Sequence, residues 1–387
     1  MYEIKTYNKI SAVGLDLFDK EKYAISDNAE APVGAIVRSA ALHEEAFAPS
    51  LLAIARAGAG TNNIPIARFS EEGIVVFNTP GANANAVKEL VLAGLFLSSR
   101  KIVSAIEWAK TLKGNGDAVG KMVEKGKSAF AGPEIKGKKL GVIGLGAIGV
   151  MVANAAYELG MDVYGYDPYL SLKNAWNLSK NVHASTMKEI FAECDYITLH
   201  IPLNPSTKGT INAEALASMK DGVRILNFAR DGLVNSADMI AALASGKVAS
   251  YVVDFPTDEM IGVDGVVCIP HLGASTPESE DNCAVMAAEE LMDYIENGNI
   301  TNSVNLPDIS MPKSTEMRIC VLHKNIPNML TSMTAVLAKD NVNIENMLNK
   351  SKGDFAYTIL DVNTCDTESV KAHISAVEGI VRVRIIR

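Results

Sequence analysis

The chain has 387 residues, a formal net charge of -9, 48% hydrophobic and 21% charged residues, and 29 glycines. That length exceeds one ordinary core and indicates two or three domains, while the composition is typical of a packed α/β protein rather than a disordered or fibrous one. The acidic balance argues against a nucleic-acid partner, and five scattered cysteines argue against a disulfide framework or a zinc site. No long apolar run suggests a membrane span, so we expect a cytoplasmic protein that acts on small molecules.

The N-terminal region carries three short apolar runs, each followed by a polar break, at 34–37, 51–55 and 73–77. Such runs predict buried strands that alternate with helices. A helical pattern from Ala86 to Trp108 predicts one long helix leading into the next domain. A second helical pattern, at 282–297, is expected to return to the first domain. We therefore predict a discontinuous, flavodoxin-like α/β substrate-binding domain made of 1–85 and 283–305.

The middle of the chain begins with an apolar strand at 139–143, a glycine-rich turn and a helix at 150–159. Further strand patterns follow at 162–166, 196–200, 224–227 and 250–253, with helical segments between them. This alternation predicts a doubly wound parallel sheet of the Rossmann type, and we assign 86–282 to it.

The C-terminal region follows a linker-like stretch at 306–314 that contains two prolines and two serines. From 316 onward the patterns read strand, helix, strand, strand, helix and strand. That βαββαβ order predicts a ferredoxin-like domain over 316–387.

A dinucleotide site is predicted by Gly144, Gly146 and Gly149, which form G-x-G-x-x-G between a strand and a helix. The first glycine permits the tight turn, the second lets the backbone approach the pyrophosphate, and the third allows close packing of helix on strand. Asp167 ends the next strand, at the spacing expected for the carboxylate that binds ribose hydroxyls. Since the same carboxylate would repel a 2′-phosphate, and no arginine follows it, the pattern favours NAD over NADP.

Three side chains downstream have the chemistry that hydride transfer from a 2-hydroxy acid requires. Arg230 follows an apolar strand, and its planar fork suits a carboxylate. His271 follows another apolar strand and is the candidate base for the hydroxyl proton, while Glu259 could hydrogen-bond its imidazole. Taken singly, each residue also fits a surface ion pair or a structural histidine, so the prediction rests on the three together.

A known family shares these motifs. Asn-x-Ala-Arg-x-Gly-x-Val at 227–234, a downstream Glu259 and Pro-His-Leu-Gly-Ala-Ser-Thr at 270–276 resemble the D-isomer-specific 2-hydroxyacid dehydrogenases, most closely the phosphoglycerate dehydrogenases among them. The resemblance covers nearly the whole chain. It implies that Arg230 holds the substrate carboxylate, Glu259 tunes the histidine, and His271 is the acid/base. Here the loop reads Asp258-Glu259-Met260 and is short, which makes Asp258 a second candidate for that carboxylate.

The same resemblance implies further ligand contacts. For NAD they are Ala147, Ile148, Ile201, Pro202, Phe228, Ala229, Asp254, His271 and Gly273. For the substrate they are Arg56, Gly58, Ala59, Gly60 and Asn83, and we nominate Arg38 and Arg56 for the distal phosphate of 3-phosphoglycerate. Arg38 and Arg56 could equally form structural ion pairs.

The C-terminal region resembles ACT regulatory domains at the loop His323-Lys324-Asn325 and at Asn343. In serine-inhibited relatives the matching residues bind L-serine across an interface between two such domains, which implies His323, Asn325 and Asn343 as effector contacts and a homodimer or homotetramer. A dimerisation domain without a ligand remains the alternative.

Two other functions remain open from the sequence. A glyoxylate, hydroxypyruvate or other 2-hydroxyacid reductase would share the same three catalytic side chains. A non-enzymatic NAD-sensing corepressor would share the scaffold, although keeping Arg230, Glu259 and His271 together disfavours it.

Overall fold

A computed structural model describes residues 1–363 and 365–387, and they form two compact units. Unit 1 comprises Met1–Asn83 with Pro277–Arg387, and unit 2 comprises Ala84–Thr276. Within the described residues, no helix combines the length and the apolar character needed to cross a membrane.

The elements are numbered in chain order. The strands are β1 (Tyr2–Tyr7), β2 (Tyr23–Ser26), β3 (Gly34–Val37), β4 (Ala53–Arg56), β5 (Val75–Asn78), β6 (Lys139–Ile143), β7 (Asp162–Tyr166), β8 (His183–Ala184), β9 (Tyr196–Leu199), β10 (Val223–Asn227), β11 (Val248–Val253), β12 (Val266–Cys268), β13 (Met317–Lys324), β14 (Ile344–Lys352), β15 (Phe355–Val362) and β16 (Ile380–Ile386). The helices are α1 (Ala12–Leu15), α2 (Ile66–Glu72), α3 (Ala84–Ser99), α4 (Ile102–Thr111), α5 (Val119–Gly126), α6 (Ala147–Glu158), α7 (Leu172–Asn177), α8 (Met187–Glu193), α9 (Ala213–Ser218), α10 (Ser236–Ala244), α11 (Pro277–Asn297), α12 (Met329–Lys339) and α13 (Thr367–Ser375).

Unit 1 contains a five-stranded parallel sheet in the order β2-β1-β3-β4-β5, which is the flavodoxin-like order. The predicted strands correspond to β3, β4 and β5. Helix α11 packs on this sheet through Ala287, Leu291 and Tyr294, all of which are buried. Because α11 begins 199 residues after the end of β5, the sheet is completed by a distant segment of the chain.

Unit 2 contains a seven-stranded parallel sheet in the order β12-β11-β10-β9-β6-β7-β8. The order reverses between β6 and β9, and such a switch point is where doubly wound sheets bind ligands at the carboxyl ends of their strands. The central strands are apolar on both faces because helices cover both. The predicted fold class, with two parallel α/β sheets and a small antiparallel one, is confirmed.

The single long helix predicted from Ala86 to Trp108 is wrong. The structure has two helices, α3 and α4, with a break at residues 100 and 101. The hydroxyl groups of Ser98 and Ser99 both donate to the carbonyl of Leu95, at 2.9 and 2.7 Å. Such side-chain bonds compete with the helical backbone pattern, which accounts for the end of α3 there.

The C-terminal sheet is antiparallel in the order β14-β15-β13-β16, with α12 and α13 on one face. Both faces are apolar. Ile319 and Leu360 face the two helices, whereas Leu322 and Ile359 belong to the core shared with the five-stranded sheet. Within unit 1 the C-terminal sheet is therefore packed against the α/β part.

Arginines from this sheet bind the end of α11. Arg384 donates to the carbonyls of Tyr294 and Ile295 at 3.1 and 2.8 Å, and Arg318 donates to that of Asn297 at 2.9 Å. The last carbonyls of a helix lack intrahelical donors and carry partial negative charge. These guanidiniums supply the missing hydrogen-bond donors and a compensating positive charge. Arg318 also forms a fully buried ion pair with Asp361 at 2.6 Å.

Candidate active site

The predicted NAD and catalytic residues of unit 2 follow the strands of one parallel sheet. The glycine loop follows β6, Asp167 follows β7, Ile201 and Pro202 follow β9, Phe228 to Arg230 follow β10, Asp254 follows β11 and His271 follows β12. Since the strands are parallel, these segments lie along the same edge of the sheet, where α/β proteins bind ligands. Glu259 belongs to the loop between β11 and β12.

Three different environments surround the three glycines of the loop. Gly144 has φ +94°, and a methyl group there would lie 2.5 Å from the carbonyl oxygen of His200. A methyl group at Gly149 would lie 1.9 Å from the carbonyl oxygen of Gly144, whereas one at Gly146 would meet no atom within 4 Å. Open space at the second glycine, next to the N-terminus of α6, is the cradle that a pyrophosphate requires.

Asp167 is held against the glycine loop. One of its carboxylate oxygens accepts from the backbone N–H of Leu145 and the other from that of Tyr169, both at 2.8 Å. A carboxylate oxygen can accept more than one hydrogen bond, so the group keeps capacity for ribose hydroxyls. A cavity of about 260 Å³ adjoins Asp167 and is lined by Leu145 and Tyr166 among others.

His200, which was not predicted as a site residue, directly follows β9 and lies beside the glycine loop. Burial lowers its pKa to about 3, and its Nε2 lies 3.0 Å from the hydroxyl of Thr198. The imidazole is therefore neutral near pH 7. Its apolar strand and its position before Ile201-Pro202 were visible in the sequence, but its burial was not.

Asp254 is the most perturbed acidic group of the predicted site. It is 1% exposed, and its Oδ1 has no hydrogen-bond partner among the described residues. Burial raises its pKa to about 6, and the charge of Arg230 acts in the opposite direction. Gly273 lies close by, since a methyl group there would be 3.4 Å from Oδ2. A buried acceptor without a donor fits an amide ligand such as the carboxamide of nicotinamide.

A buried amide shapes the turn that carries Arg230. The Nδ2 of Asn227 donates to the carbonyl of Arg230 at 2.9 Å and to the hydroxyl of Tyr251 at 3.3 Å, while its Oδ1 accepts from the N–H of Ala229 at 3.2 Å. The exposed Arg230 guanidinium donates to the carbonyl of Ala229 at 2.7 Å. Tyr251 and Asn227 were not predicted as site residues. The sequence feature that could have indicated Tyr251 is a single tyrosine within a mostly apolar strand.

His271 is fixed through its backbone and contacts an aromatic ring. Its N–H donates to the carbonyl of Asp254 at 3.0 Å, which joins the β11 and β12 loops. The ring of Phe255 lies 4.6 Å from the imidazole, measured between centroids. Glu259 and Asp258 are exposed, and neither has a hydrogen bond to a residue in the described part of the chain. The structure thus brings Arg230, Asp254 and His271 to adjacent strand ends, but it does not join a Glu259 carboxylate to the imidazole.

The predicted substrate residues of unit 1 also lie at one sheet edge. Arg38 follows β3 and Arg56 ends β4; the Nε of Arg56 donates to the carbonyl of Arg38 at 3.1 Å. The Arg56 guanidinium lies over the loop, because a methyl group at Gly58 would be 1.6 Å from its Nη1. Ala59 accepts from the Asn78 amide at 2.6 Å, Gly60 follows it, and Asn83 directly precedes α3. Arg38 is in an ion pair with Glu280 at 2.7 Å.

The predicted effector residues differ in exposure. His323 is 2% exposed, and its ring nitrogens lie 2.8 Å from the carbonyl of Lys324 and 2.9 Å from the hydroxyl of Thr358. Asn325 and Asn343 are exposed; their amides donate to the carbonyl of Gly353 at 3.0 Å and to Glu345 at 2.6 Å. The two asparagines are therefore accessible to a ligand, whereas the imidazole is already bonded on both sides.

Proteins of a known family are similar in sequence to most of this chain. Residues 93–273 match the NAD-binding domain of the D-isomer specific 2-hydroxyacid dehydrogenases. The D-3-phosphoglycerate dehydrogenase of Haemophilus influenzae is 32% identical over 351 residues, which are 88% of this chain and 82% of that protein. The chain belongs to the D-isomer-specific 2-hydroxyacid dehydrogenase family. The enzyme of that name from Escherichia coli K12 is 31% identical over 352 residues, with the same coverage.

Solved structures of this dehydrogenase family have the same fold. An NAD⁺-bound 3-phosphoglycerate dehydrogenase from Entamoeba histolytica is 26% identical, with a TM-score of 0.61 over 79% of this chain and 98% of that one. An NADPH-dependent glyoxylate/hydroxypyruvate reductase from Sinorhizobium meliloti, at 20% identity and a TM-score of 0.63 over 79% and 98%, shows the fold alone. The chain is an NAD-dependent dehydrogenase, and the predicted cofactor is confirmed.

Proposed function

We propose that this dehydrogenase is a cytoplasmic D-3-phosphoglycerate dehydrogenase, which oxidises D-3-phosphoglycerate to 3-phosphohydroxypyruvate for L-serine biosynthesis. The observation that carries the proposal is the similarity, over 88% of the chain, to curated proteins of that name. The arrangement of Arg230, Asp254 and His271 at adjacent strand ends of one sheet supports it.

The proposed roles follow from the chemistry of each group. NAD, when bound, accepts the hydride from C2 of the hydroxy acid. Arg230 binds the substrate carboxylate through its fork, and His271 takes the hydroxyl proton as C2 becomes a carbonyl. Asp254 accepts the carboxamide N–H of the nicotinamide, and Gly144 to Gly149 hold the pyrophosphate. Other proposed NAD contacts are Ala147, Ile148, Asp167, Ile201, Pro202, Phe228, Ala229 and Gly273.

Glu259 is proposed to stabilise the imidazolium of His271 in the substrate complex. Since Glu259 has no hydrogen bond to another described residue, its carboxylate is free to turn toward the ring when substrate binds. Phe255, which contacts the imidazole, restricts that ring to fewer orientations in the meantime.

The phosphate distinguishes this substrate from other 2-hydroxy acids. We assign it to Arg56 and Arg38, with backbone N–H groups of Gly58, Ala59 and Gly60 and the Asn83 amide as further substrate contacts. An exposed ion pair such as Arg38–Glu280 contributes little to stability and can be exchanged for a phosphate contact.

A substrate panel tests the proposal. NADH formation at 340 nm is measured with D-3-phosphoglycerate and D-glycerate, and NADH consumption with 3-phosphohydroxypyruvate, hydroxypyruvate and glyoxylate. The proposal expects kcat/KM for D-3-phosphoglycerate to exceed that for D-glycerate at least about 100-fold, and Arg56→Gln to remove most of that preference. A higher kcat/KM for the reduction of glyoxylate or hydroxypyruvate than for the reduction of 3-phosphohydroxypyruvate would instead identify a reductase of those acids, and no activity with any substrate would favour a binding protein.

We also propose that L-serine inhibits the enzyme by binding at Asn325 and Asn343, with His323 supporting the loop from inside, in a homodimer or homotetramer. Amide side chains can both donate to and accept from an amino-acid zwitterion. Inhibition by L-serine that is lost in Asn325→Ala and Asn343→Ala, but kept in the exposed control Asn28→Ala, would support the site. No effect of L-serine on the wild-type enzyme would rule it out.

A further inference from the structure

A cleft of about 1080 Å³ lies within unit 1, at the edge of the C-terminal sheet. Strand β16 and helix α13 line one side of it. The start of β1, the segment before β2 and the end of α11 line the other side, and Lys313 of the linker lies between them. This volume is at the upper end of the range of small-molecule sites. Of the residues assigned above to NAD, substrate or effector, none lines it.

The cleft is strongly cationic although the chain is acidic. Its lining contains two carboxylates, Glu296 and Glu368, against six cationic side chains, in a chain with a net charge of -9. The cations are Lys22, Lys313, Lys371, Arg382, Arg384 and Arg387. Like charges held together repel one another, so such a cluster is stabilised by a bound anion.

The two carboxylates of the cleft neutralise only part of this positive charge, since Glu296 is already paired with one of the six cations, Lys22. Glu296 is engaged by the hydroxyl of Tyr23 at 2.7 Å and by Lys22 at 3.5 Å. Lys313 and Lys371 are exposed and have no hydrogen-bond or ion-pair partner in 1–363 or 365–387. Two lysines therefore face the cleft with uncompensated charge.

The arginines are bonded to neutral groups, so they keep their charge. Arg382 donates to the carbonyls of Leu51 and Glu72, and Arg384 to two carbonyls of α11. Burial lowers the pKa of Arg382, and the positive charge of Arg384 lowers it further. Because these bonds fix the guanidiniums, two permanent positive charges stay in the lining of the cleft. Strand β16 is at the edge of its sheet and, among the described residues, pairs with β13 alone, so its other edge adds free backbone groups.

We propose that this cleft binds a small polyanion, with two or more carboxylate or phosphate groups, at a site separate from the proposed catalytic residues. Lys313 and Lys371 bind the anion directly, and Arg382 and Arg384 provide a fixed positive field. Such a ligand would connect the C-terminal sheet with the α/β part of unit 1, so it would also raise the melting temperature of the protein.

Isothermal titration calorimetry on the full chain tests the site with citrate and inorganic pyrophosphate as separate probes. Lys313→Gln/Lys371→Gln is compared with Lys121→Gln/Lys339→Gln, which removes the same charge from exposed lysines outside the cleft. Arg230→Gln reports whether a probe binds at the proposed substrate site instead.

The proposal expects at least one probe to bind the wild type with a Kd of about 1 mM or lower, more weakly as salt is raised. Lys313→Gln/Lys371→Gln should weaken binding about tenfold or more and leave kcat/KM without the probe unchanged. The control pair and Arg230→Gln should bind as the wild type does. Absence of binding to the wild type, equal binding by Lys313→Gln/Lys371→Gln, or loss of binding in Arg230→Gln would overturn it. If citrate binds and pyrophosphate does not, the ligand is a carboxylate; the reverse identifies a phosphate.

Discussion

Gly146 and Gly149 lie three residues apart in the glycine loop, yet an added methyl group would meet very different surroundings. At Gly149 it would lie 1.9 Å from a backbone carbonyl, and at Gly146 it would extend into open space. Gly146 has φ -70°, which alanine adopts without strain.

We expect Gly146→Ala to keep the wild-type melting temperature while weakening NAD binding about tenfold or more, because the methyl group occupies the pyrophosphate position. Gly149→Ala should lower the melting temperature itself. Calorimetric melting and NAD titration of both variants check this. Equal affinity of Gly146→Ala and wild type for NAD would contradict the assigned geometry.

His271 and Asp167 should separate catalysis from cofactor binding. His271→Gln removes the proposed proton acceptor, so kcat should fall about 100- to 10,000-fold with little change in the Kd for NAD. Asp167→Asn removes a ribose contact, so its main effect should be on that Kd. Steady-state kinetics and fluorescence titration measure the two quantities. Losses of similar size in both quantities for both variants would mean that the roles are assigned wrongly.

Residue identity and spacing led to the glycine loop, Asp167, Arg230 and His271, because each follows an apolar strand. The same reasoning could not place Glu259. It lies in the loop between β11 and β12, where the direction of a side chain depends on tertiary contacts, and spacing alone does not determine whether its carboxylate reaches the imidazole. The raised pKa of Asp254 was also beyond the sequence, because it comes from burial.

At the scale of elements, helix α11 carries a buried glutamic acid side chain that lowers the folding stability of unit 1 at high pH. Glu290 is 7% exposed; one carboxylate oxygen accepts from Asn302 at 2.7 Å and the other has no partner among the described residues. Burial raises its pKa to about 8, from a model-peptide value near 4.5. The folded state therefore holds a proton that the unfolded chain releases, so stability is highest below about pH 4.5 and falls as pH rises to about 8.

Glu290→Gln removes this ionisation. We expect the variant to match the wild type near pH 5 and to be more stable by about 2 to 4 kcal/mol near pH 8.5. Urea unfolding at both pH values measures the difference, and Glu21→Gln, which removes an exposed carboxylate elsewhere in unit 1, is the control. A difference between Glu290→Gln and wild type that does not change with pH would contradict a protonated Glu290.

The elements themselves were largely predictable, since β3, β6 and β7 have the predicted bounds. The break between α3 and α4 was missed because periodicity continues across it, while the serine hydroxyl bonds that end α3 depend on local geometry. The strands β1 and β2 were not predicted. Each has one buried residue, so neither shows a continuous apolar run in the sequence.

For the whole molecule, the sequence indicated three sheets but not the packing of the C-terminal sheet. Every residue of β15 is buried, which requires cover on both faces rather than one. The mostly apolar pattern of β15 was visible in the sequence. The surface that covers its second face could not be predicted, because Arg318 and Arg384 bind the end of α11 through contacts between segments that are distant in the chain.

Direct transfer of hydrogen from substrate to cofactor is the most immediate test of the proposed function. D-3-phosphoglycerate carrying deuterium at C2 is oxidised with NAD, and the NADH formed is analysed by mass spectrometry and proton NMR. We expect one deuterium at C4 of the dihydronicotinamide ring, on a single face, and none released to water. Release of the deuterium to solvent, or no NADH from this substrate, would contradict the account.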